Sequence, residues 1–179
     1  MVRLLVFGMN PGMGGVQMYL MNLYRNIDHS KIQMDFVVPG DRCHYADEIK
    51  QLGGEIFYIR PKRKSLLGNV TDLIRLFKIC KGTHRIIYFN LSVLYYNIPF
   101  ILAKAFGFPF IISHGHSARD PSKRKNLRYY LHCMNRVYVS RSSSRLFACS
   151  NKAAEWVFGK RALKNGQVTI IPNAINVEK

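Results

Sequence analysis

The sequence has no unbroken apolar run of membrane-spanning length, no closely spaced cysteine pair and few acidic residues. Its longest apolar region, NLSVLYYNIPFILAKAFGFPFII, is interrupted by Asn97, Pro99, Lys104 and Pro109, so we do not expect a membrane span. The four cysteines, at positions 43, 80, 133 and 149, lack CxxC spacing, which favours reduced thiols over disulfides or zinc ligands. A cytoplasmic location is therefore expected.

Positive charge is what the chain has in excess. Its 179 residues include 27 Lys and Arg but only 10 Asp and Glu, which gives a net charge of +17 at pH 7. An excess of this size indicates an acidic partner. Nucleic acid is not expected, because no helix-turn-helix, zinc finger or aromatic RNA-binding signature accompanies the charge. The length is typical of one globular domain.

Short apolar runs alternate with segments of helical periodicity along the whole chain. The runs at 3–8, 33–38, 55–59, 85–90, 109–113, 145–150 and 168–172 are predicted to be buried strands. The segments between them, at 15–27, 44–53, 69–81, 92–107, 122–140 and 151–160, are predicted to be helices. Such alternation predicts a doubly wound, Rossmann-like α/β domain with a parallel sheet of about seven strands and helices on both faces.

A glycine-rich loop, GMNPGMGG, follows the first predicted strand and precedes the first predicted helix. Backbone N–H groups and the positive end of the helix dipole converge there, which suits a phosphate group at Gly12, Gly14 and Gly15. The loop matches neither the Walker pattern nor the dinucleotide fingerprint GxGxxG. A plain tight turn is the alternative.

Two histidines follow the fifth predicted strand, in the segment ISHGHSARD. This position is the carboxyl edge of an open α/β sheet, where ligands bind, so we expect His114 and His116 to face the same cleft as Gly14 and Gly15. An HxH pair is weak evidence for metal because no third ligand has persuasive spacing, although Asp120 is near. Hydrogen bonding to substrate hydroxyls is the favoured interpretation, and no metal is expected.

The segment that follows is basic and amphipathic. Apolar residues recur at intervals of three and four from Leu127 to Tyr138, and cations stand among and before them. One hypothesis is contact with an anionic membrane surface or another acidic partner. The alternative is a helix whose apolar stripe lies in the core and whose charges are solvated. The cations assigned to the contact are Arg119, Lys123, Arg124, Lys125 and Arg128.

The segments GGVQMYLMNLYRNIDHSKIQMDFVV, ISHGHSA, ACSNKAAEWVFG and VTIIPNAINVEK occur in the order and spacing of a known family. The chain resembles the N-terminal half of a family 4 (group 1) retaining glycosyltransferase of GT-B type, closest to the bacterial exopolysaccharide and capsule subset. Gln17 stands where that family commonly has Glu, and IPNA replaces the usual IPNG. The resemblance implies an acceptor-side domain at 1–172, the start of an interdomain linker at 173–179, and a donor-binding C-terminal domain outside this chain.

The resemblance also implies an activity and its residues. A hexosyltransferase would move a sugar from a nucleotide-sugar to a lipid-linked saccharide, with retention of configuration and without metal or another cofactor. It would work at the inner face of the cytoplasmic membrane, and this domain alone would be inactive. Here His116 and His114 would be catalytic, and Gly12, Gly14 and Gly15 would approach the donor phosphates. The acceptor cleft would include Asn90, Ser92 and Ser117.

A second hypothesis comes from a different functional class. The same strand, glycine loop and helix would suit a nucleotide- or dinucleotide-binding Rossmann module that performs no glycosyl transfer. Reading the gene beyond Lys179 discriminates the two, because a transferase requires a second α/β domain there.

Overall fold

A seven-stranded parallel sheet organises the chain. The computed structural model describes residues 1–118 and 126–173, and the strands follow the order β3-β2-β1-β4-β5-β6-β7. This order reverses beside β1, and right-handed crossovers on either side of such a reversal place helices on opposite faces. The predicted doubly wound, Rossmann-like fold is confirmed. The strands are β1 Val2–Phe7, β2 Ile32–Pro39, β3 Ile56–Ile59, β4 His84–Leu91, β5 Phe110–Gly115, β6 Arg145–Ala148 and β7 Val168–Ile170.

The helices of the described ranges lie between these strands, close to where periodicity predicted them. They are α1 Gly15–Asn26, α2 Ala46–Gln51, α3 Leu66–Cys80, α4 Ile98–Ala105, α5 Leu127–Ser142, α6 Asn151–Val157 and α7 Lys160–Lys164. The predicted helix at 92–107 starts only at Ile98, and Pro99 occupies its first turn, where a missing N–H costs nothing. The predicted helix at 151–160 ends earlier, at Val157, because Gly159 adopts a φ of +92° and is the N-cap of α7.

The chain divides into two compact units. The first comprises Met1–Tyr88 and Ile98–Phe110, and the second comprises Phe89–Asn97 and Ile111–Lys179. The core of the first includes Phe77, whose ring packs against Phe106 and Phe108 with centroids 5.9 and 5.3 Å away. The core of the second includes Ile111, Val139, Ala148, Ala153 and Val157, all buried. The predicted boundary between domain and linker at residue 172 stays a prediction.

One fully buried carboxylate organises a polar cluster in the first unit. Asp35 on β2 accepts hydrogen bonds from Arg3 Nε and Nη2 at 2.7 and 2.6 Å, from the Glu55 N–H at 2.7 Å and from His84 Nε2 at 2.7 Å. Burial by itself raises the pKa of the Asp35 carboxyl, but the hydrogen bonds from His84, Arg3 and Glu55 outweigh it and hold that pKa below its usual value. We call these residues the Asp35 cluster, and its charge is retained in the folded protein.

Candidate active site

Two histidine rings lie against each other at the carboxyl end of β5. Their centroids are 4.1 Å apart with an interplanar angle of 32°; His114 is fully buried and His116 is half-buried. Gly115 separates them, and a Cβ at that position would lie 3.1 Å from the side chain of Val157. Glycine at this position therefore allows β5 to approach α6 closely. The two histidines are its neighbours in the sequence.

Asn90, at the end of β4, fixes the second histidine. Its Oδ1 lies 2.8 Å from His116 Nε2, and the His116 backbone N–H donates to the Leu91 carbonyl at 2.9 Å. An amide oxygen only accepts hydrogen bonds, so a neutral His116 carries its proton on Nε2 and keeps a lone pair on Nδ1. The structure thus brings together Asn90, His114 and His116, which we call the His116 cluster.

Burial keeps both imidazoles neutral. Desolvation, with a smaller contribution from the neighbouring His116 ring, lowers the pKa of His114 to about 3. Desolvation lowers the pKa of His116 to about 4. At pH 7 the pair is therefore uncharged, and Nδ1 of His116, the ring nitrogen that keeps its lone pair, is buried.

The loop after β4 is held by side chains that the sequence interpretation did not select. Trp156 Nε1 donates to the Ser92 carbonyl at 3.0 Å. His132 Nδ1 accepts from the Leu94 N–H at 3.0 Å, while His132 Nε2 donates to the Trp156 carbonyl at 2.9 Å. The two rings are stacked with centroids 3.9 Å apart. The sequence signal that could have identified this support is the single tryptophan, which lies within a predicted helix.

The two serines predicted to lie in an acceptor cleft have separate positions in the second unit. Ser92 belongs to the supported loop, and Ser117 directly follows His116; both are half-buried. No substrate contact tests either residue, so their assignment stays a prediction.

The glycine loop lies in the first unit, between β1 and α1. Gly14 is the N-cap of α1 and Gly15 is its first residue, while Gly12 is exposed. Gln17 is buried and its Nε2 donates to the Gly8 carbonyl at 3.0 Å. A Cβ on Gly14 would lie 2.6 Å from Gln17 Oε1, so this glycine makes room for the amide. Phosphate binding here, and a cleft shared with the histidines, stay predictions.

The α5 helix buries a different face from the one its apolar stripe suggested. The apolar residues are exposed, with 74% of Leu127, 69% of Met134 and 48% of Val137 accessible, and His132 and Val139 are buried instead. The alternative that placed the stripe in the core is wrong, because the helix packs through His132 and through Asn135, whose amide donates to the Leu94 carbonyl at 2.6 Å.

The cations predicted to accompany this stripe are only partly described. The Arg128 side chain is exposed, and its guanidinium carbon lies 5.6 Å from the Tyr95 ring centroid. The others lie outside the described residues: Arg119, Lys123, Arg124 and Lys125. Within residues 1–118 and 126–173, no helix is both long and apolar enough to cross a membrane, and no three His, Cys, Asp or Glu side chains are grouped to hold a metal ion.

Comparison with known proteins identifies the family. A family model described as Glycosyltransferase Family 4 matches residues 13–179. The chain belongs to this family. It is also 29% identical, over 178 residues, to EpsF of Bacillus subtilis (strain 168), a protein named as a presumed glycosyltransferase. That match covers 96% of the chain and 44% of EpsF, so the chain spans less than half the length of this relative.

Solved structures share the fold of this family 4 domain. It superposes on Acinetobacter baumannii MurG with a TM-score of 0.59 and 11% identity, covering 99% of the chain and 46% of MurG. It superposes on the apo form of the lipopolysaccharide outer core galactosyltransferase WaaB with a TM-score of 0.64 and 13% identity, covering 100% of the chain and 47% of WaaB. At these identities the likeness shows the fold alone.

Proposed function

We propose that the chain is the acceptor-side domain of a retaining hexosyltransferase that extends a lipid-linked saccharide during cell-surface polysaccharide synthesis. Family membership supports glycosyl transfer, and the name of WaaB supplies a sugar-transferring precedent on the same fold. The single observation that carries the site assignment is the neutral His116, oriented by Asn90 at the carboxyl end of its strand. The donor domain would be supplied by the longer protein.

Each residue type of the proposed site has a role that follows from its chemistry. The His116 imidazole contributes an uncharged polar wall beside the sugar, and because it is neutral it does not repel a developing positive charge at the anomeric carbon. His114 packs behind it and excludes water. In the glycine loop, the backbone N–H groups of Gly14 and Gly15 at the start of α1 are donors of the kind that suits a diphosphate. In this mechanism the chain contributes no metal ligand and uses no cofactor besides the nucleotide-sugar.

The proposed location is the inner face of the cytoplasmic membrane. The exposed apolar stripe of α5 supports it, because an amphipathic helix with flanking cations buries such a stripe at an anionic lipid surface. Each Lys or Arg near that surface adds roughly 1 kcal/mol. The five cations assigned above would supply the electrostatic part of the contact.

Sugar transfer by the longer protein that contains this chain is the direct test. Supplied with nucleotide-sugars and membranes carrying lipid-linked saccharides, it should yield an extended glycolipid whose new bond keeps the donor's anomeric configuration, as read by NMR. The 179-residue chain alone should transfer none. Inverted configuration would contradict the retaining mechanism. Nucleotide binding by the longer protein without any transfer would favour the alternative, a nucleotide-binding Rossmann module.

Vesicle co-sedimentation tests the membrane contact separately. The chain should pellet with vesicles containing anionic lipid, much less with neutral ones, and less as salt screens the charges. Replacing Lys123, Arg124, Lys125 and Arg128 with Gln should remove most binding. A matched control replaces four exposed cations in the first unit with Gln: Arg75, Lys78, Lys81 and Arg85. Equal loss of vesicle binding in both quadruple variants would mean that net charge alone explains the binding. That result would contradict the assignment to α5.

A further inference from the structure

A basic cavity of about 860 Å³ lies in the second unit, between α5, α6 and the start of α7. Four cations line it: Arg136 from α5, Lys152 from α6, and Lys160 and Arg161 from α7. Glu155 is the one acidic residue among the lining residues. We call this cavity the α5–α7 groove. It shares none of its lining with the His116 cluster and lacks the five cations assigned to the membrane contact.

The four cations of the groove outnumber the one acidic residue that lines it. Among residues 1–118 and 126–173, none of the ion pairs involves these four cations. Like charges gathered in a concave site raise the local potential and attract a multiply charged anion. Arginine contributes a planar fork of donors that matches phosphate oxygens, and lysine contributes a compact charge. Phosphate and diphosphate carry enough oxygens and charge to contact several such cations at once.

The local backbone places these cations together. Gly159 adopts a φ of +92°, which glycine reaches without strain. The chain thereby turns from α6 into α7, and Lys160 and Arg161 follow at once. A Cβ on Gly159 would lie 3.2 Å from Arg136 Nε, so the missing side chain lets the Arg136 guanidinium lie over the turn. The sequence FGKR therefore builds one wall of the groove.

The remaining wall is aromatic and apolar. Tyr129 and Trp156 line the groove, with ring centroids 6.5 Å apart and an interplanar angle of 32°. Val137 lines it as well and also belongs to the exposed apolar stripe of α5. The cationic site is thus continuous with an apolar surface, an arrangement suited to a ligand that joins an anionic group to a hydrocarbon chain.

We propose that the α5–α7 groove binds the phosphate or diphosphate group of a lipid, whose apolar chain extends along the exposed stripe of α5. The cations coordinate the phosphate oxygens, and Tyr129 and Trp156 pack against the atoms that join phosphate to lipid. The inference rests on the proposed function only for the natural ligand, since that function supplies a lipid-linked acceptor. Binding itself is measurable without sugar transfer.

The fluorescence of Trp156, the single tryptophan of the chain, reports occupancy. The 179-residue chain is titrated with inorganic pyrophosphate, with a short-chain phosphatidic acid below its micellar concentration, and with the matching phosphatidylcholine. Phosphatidic acid should change the emission at roughly tenfold lower concentration than pyrophosphate, because its chains add buried apolar area, and phosphatidylcholine should not. Equal affinity for the two anions overturns lipid attachment and leaves a free-phosphate site. Silence towards both anions overturns the proposal.

Paired variants separate the groove from overall charge. Arg136→Gln with Lys160→Gln should weaken phosphatidic acid binding about tenfold or more, since two charge-assisted contacts are lost. The control, Arg141→Gln with Lys164→Gln, removes two exposed cations from the same helices but outside the lining and should bind as the parent does. Equal weakening in both overturns the groove as a specific site. Should the first pair alter the thermal unfolding curve, Lys152→Gln with Arg161→Gln provides the same comparison.

Lipid-phosphate binding and sugar transfer are measured independently, so failure of this inference can be distinguished from failure of the proposed function. Sugar transfer by the longer protein with no lipid-phosphate binding at Trp156 overturns this inference and leaves the function standing. Lipid-phosphate binding at the groove by a longer protein that transfers no sugar supports this inference and overturns the proposed function.

Discussion

Histidine is buried in both units of the chain, but its partners differ. In the Asp35 cluster, His84 bonds to an ionised carboxylate that Arg3 also contacts. In the His116 cluster, the partners are an amide oxygen and a second imidazole. The first arrangement retains charge inside the protein and the second removes it. A buried carboxylate paired with Arg3 therefore keeps its charge in the first cluster, whereas burial without a carboxylate leaves the imidazoles of the second cluster neutral.

The Asp35 cluster and the His116 cluster also differ in their position along the strands. Arg3 and His84 lie at or near the amino ends of β1 and β4, whereas Asn90 lies near the carboxyl end of β4 and His114 near that of β5. Ligands of parallel α/β sheets bind beyond the carboxyl ends. The amino-end cluster is thus expected to govern stability and the carboxyl-end cluster to govern chemistry.

Removing the buried carboxylate should produce the largest effect. Asp35→Ala leaves Arg3, His84 and the Glu55 N–H without their acceptor, which costs about 3 to 5 kcal/mol of unfolding free energy in comparable buried pairs. Urea unfolding followed by circular dichroism measures it. Asp28→Asn, at an exposed carboxylate that pairs with Lys31, is the control and should change stability far less. Similar losses in the two variants would show that the Asp35 cluster is not structural.

Truncating His116 should instead affect the reaction. In the longer protein, His116→Ala should lower kcat by about 10² to 10³, as losing one positioned polar group in an active site does, while the folded structure persists. Steady-state kinetics and thermal unfolding measured together separate the two effects. The control is His44→Ala, at an exposed histidine. Unchanged kinetics for His116→Ala would assign this residue to structure alone.

The pH dependence of stability should distinguish the clusters by a smaller effect. The folded-state pKa values of His114 and His116, about 3 and about 4, lie below the value of roughly 6.5 in an unfolded chain. Their contribution is complete above about pH 7 and is lost as pH falls from about 6.5 towards these values. Asp35, whose pKa is also lowered, keeps its contribution until pH falls below about 4.

The slope of unfolding free energy between pH 6.5 and 4 is the measured quantity. His116→Gln should reduce it by up to about 1.4 kcal/mol per pH unit, the value for one proton. His132, whose pKa burial also lowers, keeps part of the slope in that variant. A slope unaffected by His116→Gln would mean that the folded protein does not hold this imidazole neutral.

The sequence predicted the alternation of strands and helices and the doubly wound fold, because buried β-branched runs and glycine punctuation are local signals, whereas the role of the site residues stays a prediction. It identified His114 and His116 by their position after a strand. It did not predict the buried face of α5, because polar residues such as His132 and Asn135 are usually exposed. Here both form hydrogen bonds with the backbone of Leu94, which is distant in the sequence. The α5–α7 groove was not predicted either, because its four cations come from three different helices.

Nitrogen NMR of His116 in the 179-residue chain tests the central claim most directly. With isotope-labelled histidine, the two ring nitrogens report both the charge and the position of the proton across a pH titration. We predict a neutral ring at pH 7 with its proton on Nε2, donated to Asn90, and no further protonation until pH falls to about 4. His116→Gln identifies the resonances. A proton on Nδ1, or titration near pH 6.5, would contradict the account.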